Sequence, residues 1–152
     1  MKNNLSLQNE LNLVKKLIKN EIIEEKTISD LYKYIFKYDG KRLRAKLSLI
    51  TSSLNKKKNK KRHKLAAVIE LLHTATLVHD DVVDESHTRR GVKSVNNLWS
   101  NAHGVLIGDY IYSKAFILMV EIGESKILRE LANATNDISK GELIQLDALQ
   151  NL

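Results

Sequence analysis

The 152-residue chain has no cysteine, no proline, six glycines and only 5% aromatic residues. Without cysteine there is no disulfide, no thiol nucleophile and no Cys-ligated zinc or iron–sulfur site. The lack of proline and the scarcity of glycine argue against an all-β fold, which needs frequent turn residues. No apolar run reaches the roughly 20 residues that span a bilayer. Asn3, Asn4, Gln8, Asn9 and Glu10 stand where a secretory leader needs an apolar stretch, so a soluble cytoplasmic protein is expected. What is present suffices for a core: 43% of residues are hydrophobic. The length fits one ordinary domain or half of a larger one.

Twenty-five Lys+Arg against 18 Asp+Glu leave a formal net charge of +7. Much of that excess lies in Lys56, Lys57, Lys58, Lys60, Lys61 and Arg62. The run has no interleaved aromatics for base stacking, so it reads as a solvated interhelix loop and not as a nucleic-acid patch.

Helical periodicity runs through most of the chain. Leu7, Leu11, Val14 and Ile18 form the stripe of a first helix. Ser29-Asp30 can cap a second, to about Tyr38, with Asp39-Gly40 as its breaker. Leu43, Leu47, Ile50 and Leu54 form the stripe of a third. A fourth is expected from about Lys64 to Asp84, then a loop from Ser86 to Val95. A long apolar helix follows from Gly104 to about Ile122, ended by Gly123. Ile127, Leu131, Ala134, Ile138 and Gln145 mark a last one. No strand pattern competes, so the expected fold is all-α, an antiparallel helical bundle with short connections.

The informative segment is AAVIELLHTATLVHDDVVD, residues 66–84. It is apolar nearly all round, as a buried helix is. Yet Asp80, Asp81 and Asp84 crowd its C-terminal end, where the helix dipole disfavours negative charge. Asp80 and Asp84 are one turn apart on one face and could jointly hold Mg²⁺, which takes few protein oxygens and completes its shell with water and phosphate. The plainer alternative is a solvated acidic end paired with Arg89 and Arg90. His73 lies two turns before Asp80, roughly 10 Å away, too far for the same metal but suited to the far side of a diphosphate. Taken alone, it reads as a hydrogen-bonded core histidine. His79 is about 100° round the helix from Asp80 and reads as structural.

Two basic clusters accompany the acids. Lys41 and Arg44, three apart, open the third helix, where backbone N–H groups favour phosphate and Arg can bind it through two bonds. Arg89 and Arg90 precede Gly91, which lets the chain turn close to a ligand. One acidic and two basic clusters suit a substrate whose diphosphate leaves, its charge neutralised by magnesium.

In this order, Gly40-Lys41-Arg42-Leu43-Arg44, IELLHTATLVHDDVVDESHTRRG, Gly108-Asp109-Tyr110 and Gly141-Glu142 resemble the trans-isoprenyl diphosphate synthases, most of all the bacterial long-chain, octaprenyl-type branch. The likeness runs from about Leu31 onward, and its aspartate-arginine block is the specific part. It implies that Asp80 and Asp84 bind Mg²⁺ bridged to an allylic diphosphate. Arg89 would contact that diphosphate, while Lys41, Arg44, His73 and Arg90 would hold isopentenyl diphosphate. Asp81 belongs to the motif without an assigned role. The implied reaction is ionisation of the allylic diphosphate, attack by the isopentenyl double bond and loss of a proton. A homodimer is implied too. Small residues at Ala75 and Thr76 leave a tunnel for the growing tail open, with Leu118 or Met119 as candidate floor.

The chain departs from the family pattern at Asp39, which stands for a glycine, at Ala45, which stands for proline, and at Ser100-Asn101, which stand for small residues. Family members are about twice as long and carry a second aspartate-rich motif, which nothing after Asp84 supplies. Residues 1–152 are therefore expected to be the N-terminal half of a single isoprenoid synthase domain. Two other readings stay open: a non-catalytic remnant or small subunit of such an enzyme, and a metal-dependent phosphohydrolase built on His79-Asp80 with His63 and Asp109.

Overall fold

Seven helices and one short hairpin make up the computed structural model, which describes residues 2–19, 23–38, 40–54, 59 and 61–150. Asp39 and Lys56, Lys57, Lys58 and Lys60 of the basic run lie outside the described residues. The helices are α1 (Lys2–Lys19), α2 (Lys26–Ile35), α3 (Leu43–Leu54), α4 (Lys61–Val83), α5 (Val95–Leu98), α6 (Asn101–Ile122) and α7 (Ser125–Gln150). Strands β1 (Thr88–Arg89) and β2 (Val92–Lys93) pair antiparallel, with Thr88 opposite Lys93 and Arg89 opposite Val92. The fold is all-α, a helical bundle. Among the described residues no helix is long and apolar enough to cross a membrane.

Helix α4 is central and touches α1, α3, α5 and α6. Its contact with α6 is the most extensive in the molecule, because two glycines of α6 allow close approach. A Cβ at Gly104 would stand 2.6 Å from a Val82 methyl, and one at Gly108 would stand 2.2 Å from the His79 ring. The α1 stripe behaves as expected: Leu11, Val14 and Ile18 are buried, with Leu7 packed beside them.

Four expectations need correction. The α3 stripe points the other way: Leu43, Leu47, Ile50 and Leu54 are exposed, while Ala45 and Leu49 are buried. The inward face of α3 combines these two with half-buried Ser48 and Ser52, small residues that let it lie close to α4. Helix α2 starts at Lys26 after Glu25, not at a Ser29-Asp30 cap, and ends at Ile35. Its earlier start brings Ile28 onto the face of buried Leu31 and Tyr32. Helix α4 begins at Lys61, so the end of the basic run is helical and not loop. There Lys61 and Lys64 pair with Glu124 and Glu121 at 2.9 and 2.8 Å, and Arg62 pairs with Glu10 of α1. Finally, the segment read as a plain loop contains the β1–β2 hairpin and then α5.

The hairpin turn is Arg90-Gly91, with φ of 53° and 79°. Positive φ at both central residues is the two-residue turn whose twist matches a hairpin. Arg90 accepts a conformation that costs a non-glycine residue on the order of 1 kcal/mol. Helix α6 starts on Ser100, whose hydroxyl accepts the His103 N–H at 3.3 Å, and ends on Gly123 with φ 67°. The departure at Ser100 thus serves as an N-cap.

Candidate active site

The acidic end of α4 is closed by left-handed Glu85. The Ser86 N–H donates to the Asp81 carbonyl at 2.9 Å, and the Glu85 N–H to the Val82 carbonyl at 3.3 Å. These two bonds tie off the last carbonyls of the helix and turn the chain into the hairpin. Asn96 donates to the Asp81 and Ser86 carbonyls at 3.0 and 3.1 Å and braces the same corner.

The three aspartates then differ sharply. Asp81 is 4% exposed and points inward. Arg89 Nε donates to both of its carboxylate oxygens, at 2.9 and 2.8 Å. Periodicity alone could not supply this partner, because it comes from β1. Asp84 is exposed and Asp80 half-buried. The Asp80 carboxyl is pushed above its ordinary value, first by burial and then by the negative charge of Glu142, Asp84 and Asp81, against the opposing pull of Arg89. Glu142 lies on α7, so that helix brings a further acid to the field around Asp80.

The basic groups gather beside Asp81. A cleft of about 620 Å³ is lined by Lys41, Arg42, Arg44, His73, Arg89, Arg90 and Lys93, with Glu70 and Asp81 as its carboxylates. The hairpin is pinned over this cleft by α2, where the Tyr34 hydroxyl donates to the Lys93 carbonyl at 2.7 Å. Gly40 lies against the Arg90 guanidinium: a Cβ on it would stand 2.6 Å from that group, which would have to swing aside. His73 is held below its ordinary value of 6.5, mainly by burial and then by Arg44, with Arg90 and Arg89 adding and Glu70 opposing. A neutral imidazole ringed by guanidiniums is an arrangement that an anion would relieve.

The structure therefore brings Lys41, Arg44, His73, Arg89 and Arg90 to one cleft, with Asp80 and Asp84 outside its lining. Ala75 is fully buried in the core and Thr76 half-buried, its hydroxyl donating to the His73 carbonyl at 2.9 Å; neither lines the cleft. The sequence reading missed Glu70 and Lys93; it offered Arg89 as a partner for the acidic end, and the structure assigns that arginine to buried Asp81. Glu70 had a signal: it lies three residues before His73 and shares its helix face. The α3 N-terminus is also less open to phosphate than expected, since Glu70 Oε1 accepts the Ala45 N–H at 2.9 Å.

Among the described residues no three His, Asp or Glu side chains converge as a metal site. His79 lies 3.2 Å from the Val105 carbonyl and 3.3 Å from Asp109. The dyad read as a possible phosphohydrolase centre is thus one side of a helix contact. Asp80 and Asp84 do fit a hard dication. They are paired oxygen donors one turn apart, and the negative charge crowding Asp80 is a charge that a cation offsets.

The polyprenyl synthetase family profile matches residues 25–152. The chain belongs to the polyprenyl synthetase family. It is 42% identical over 132 residues to the all-trans-nonaprenyl-diphosphate synthase (geranyl-diphosphate specific) of Rhodobacter capsulatus, covering 85% of this chain and 41% of that one. It is 42% identical over 119 residues to the octaprenyl diphosphate synthase of Escherichia coli, covering 78% and 37%. Among solved structures, a decaprenyl diphosphate synthase from Rhodobacter capsulatus superposes with a TM-score of 0.88 at 39% identity, over 94% of this chain and 45% of the other. A Caulobacter crescentus polyprenyl synthase, complexed with calcium and isoprenyl diphosphate, gives 0.87 at 38% identity, over 91% and 43%. The chain thus spans less than half the length of each of these four relatives.

Proposed function

We propose that this chain provides the isopentenyl diphosphate site and the first metal-binding carboxylates of a long-chain trans-polyprenyl diphosphate synthase, which makes quinone side-chain precursors. The observation that supports this most is the cleft in which Lys41, Arg44, His73, Arg89 and Arg90 meet beside the acidic end of α4. On this reading residues 1–152 correspond to the N-terminal half of one isoprenoid synthase domain, working in the cytoplasm as a homodimer.

The roles follow from charge and placement. Lys41, Arg44 and Arg90 bind the isopentenyl diphosphate, and His73 gains a proton beside it. Arg89, held by Asp81, offers its terminal N–H groups to the allylic diphosphate. Asp80 and Asp84 would hold Mg²⁺, which when bound neutralises charge on the leaving diphosphate. The allylic C–O bond breaks and the diphosphate takes the electron pair. The isopentenyl double bond attacks the cation, a C–C bond forms, and a proton leaves the adjacent carbon. No covalent enzyme intermediate is needed, and electrostatic stabilisation carries the step. On this reading the allylic tail would run along α4 past half-buried Thr76, where that side chain and buried Ala75 are small enough to leave it room.

Calorimetry tests the assignment. Isopentenyl diphosphate should bind at least tenfold more weakly to Arg44→Ala, and Mg²⁺-dependent binding of an allylic diphosphate should weaken at least tenfold in Asp80→Ala, about 1.4 kcal/mol each. Unchanged affinities in folded variants would refute the corresponding site.

A further inference from the structure

Two carboxylates line the cationic cleft, and each opposes the binding of an anion there. Asp81 is accounted for by Arg89. Glu70 needs its own account. Its Oε1 accepts the backbone N–H of Ala45 at 2.9 Å, a residue 25 positions away. Ala45 is the third residue of α3 and has no exposed surface. Its N–H is one of the four that a helix start leaves without an internal acceptor. A carboxylate there also meets the favourable end of the helix dipole. The bond ties the first turn of α3 to α4, and both Glu70 and the neighbouring Arg44 line the cleft. Arg44 adjoins Ala45 in α3, Lys41 lies two residues before that helix and lines the same cleft, and His73 lies one turn beyond Glu70 on α4.

We propose that Glu70 is a positioning residue: by accepting the Ala45 N–H it locks the first turn of α3 to α4, so that Lys41 and Arg44 face His73 and meet a diphosphate with their side chains. The Ala45 N–H is already engaged, so it is not among the groups offered to the ligand. This rests on the diphosphate reading above. It explains why a repelling charge lies among cations: the anchor outweighs the repulsion.

The proposal predicts opposite signs for two variants, which a bystander charge does not. Glu70→Gln keeps an oxygen acceptor and removes the repulsion, so the full chain should bind inorganic diphosphate and isopentenyl diphosphate as well as wild type or up to threefold more tightly. Glu70→Ala removes the repulsion too, yet should bind both at least fivefold more weakly, because α3 loses its register. Amide hydrogen exchange at Ala45 reads the anchor with no ligand: protection should fall at least tenfold in Glu70→Ala and persist in Glu70→Gln. Tighter binding in both variants would make Glu70 a mere repelling charge and overturn the proposal. So would a folded Glu70→Ala chain with wild-type affinity, or unchanged Ala45 exchange. A wild-type chain that bound neither probe would refute the diphosphate reading and the ligand half of this proposal, while Ala45 exchange still decided the anchor.

Discussion

Asp81 and Arg89 stand eight residues apart and meet through two bonds from one nitrogen. Using Nε leaves the two terminal nitrogens of the guanidinium outside this pair, as the proposed contact with a diphosphate requires. The Asp81 side chain is 5% exposed and that of Arg89 33%, so the pair is asymmetric. Removing the buried partner leaves a half-buried cation without its carboxylate. Asp81→Ala should therefore cost about 2 kcal/mol of stability, the scale of a charged hydrogen bond, and urea unfolding measures it. A shift under about 0.5 kcal/mol would mean that the pair is solvated. His73 gives a second residue-scale prediction. Its folded value lies below 6.5 because of burial and Arg44, so the unfolded chain binds more protons as pH falls through 6.5. The contribution of neutral His73 to stability is present above that pH and is lost toward the lower folded value. A bound diphosphate offsets the guanidiniums and raises that value. Binding near pH 6 should then take up a fraction of a proton, seen as a buffer-dependent heat in calorimetry. His73→Gln should abolish the uptake.

At the scale of elements, helix contacts depend on single methyl groups. Gly108→Ala places a Cβ against the His79 ring and Gly104→Ala against Val82. Each should cost about 1–3 kcal/mol by overpacking the α4–α6 contact. Gly141 is the control: it is also helical, but nothing lies within 4 Å of its Cβ position. Gly141→Ala should stabilise α7 by up to about 1 kcal/mol, the helix propensity difference. Thermal melts of the three variants check both signs at once. Elements also differed in how readable they were. The α1 stripe and the Gly123 end of α6 were legible, because spacing and a left-handed glycine are local properties. The α3 stripe was misread, because two faces of that helix carry apolar residues and only the neighbouring α4 selects the one with small side chains. The hairpin was missed because its strands are two residues long and its turn uses Arg90, an unusual residue at positive φ.

The whole molecule presents more apolar surface than its core consumes. Leu43, Leu47, Ile50 and Leu54 of α3 are exposed, as are Leu106, Ile117 and Val120 of α6 and Leu143, Ile144 and Leu149 of α7. Helix α7 has 26 residues and, among those described, none fully buried. Patches of this kind beyond a few hundred Å² mark surfaces that seek a partner. A polypeptide of residues 1–152 made alone should therefore self-associate, seen as a mass above 17.3 kDa in light scattering. On the proposed function it should not elongate farnesyl diphosphate at a useful rate, because the single carboxylate pair Asp80 and Asp84 would leave part of the leaving-group charge unbalanced. Each 1.36 kcal/mol lost costs about tenfold in rate. Robust turnover by a monodisperse chain would refute this.

The helical class, the family and a concentration of charged residues around one acidic helix end were all legible without any coordinates. The acidic pair is the plainest case, written in spacing along one helix: Asp80 and Asp84 share a face whatever surrounds them. Which of those groups pair with which emerged from the folded chain. Asp81 turned from an unassigned member of the acidic motif into the holder of Arg89, and Glu70 from an unnoticed helix residue into the acceptor for Ala45. Periodicity fixes which residues of a helix point together, but not what they point at. That depends on a hairpin 8 residues on and a helix start 25 residues back, joined through packing that no local pattern encodes.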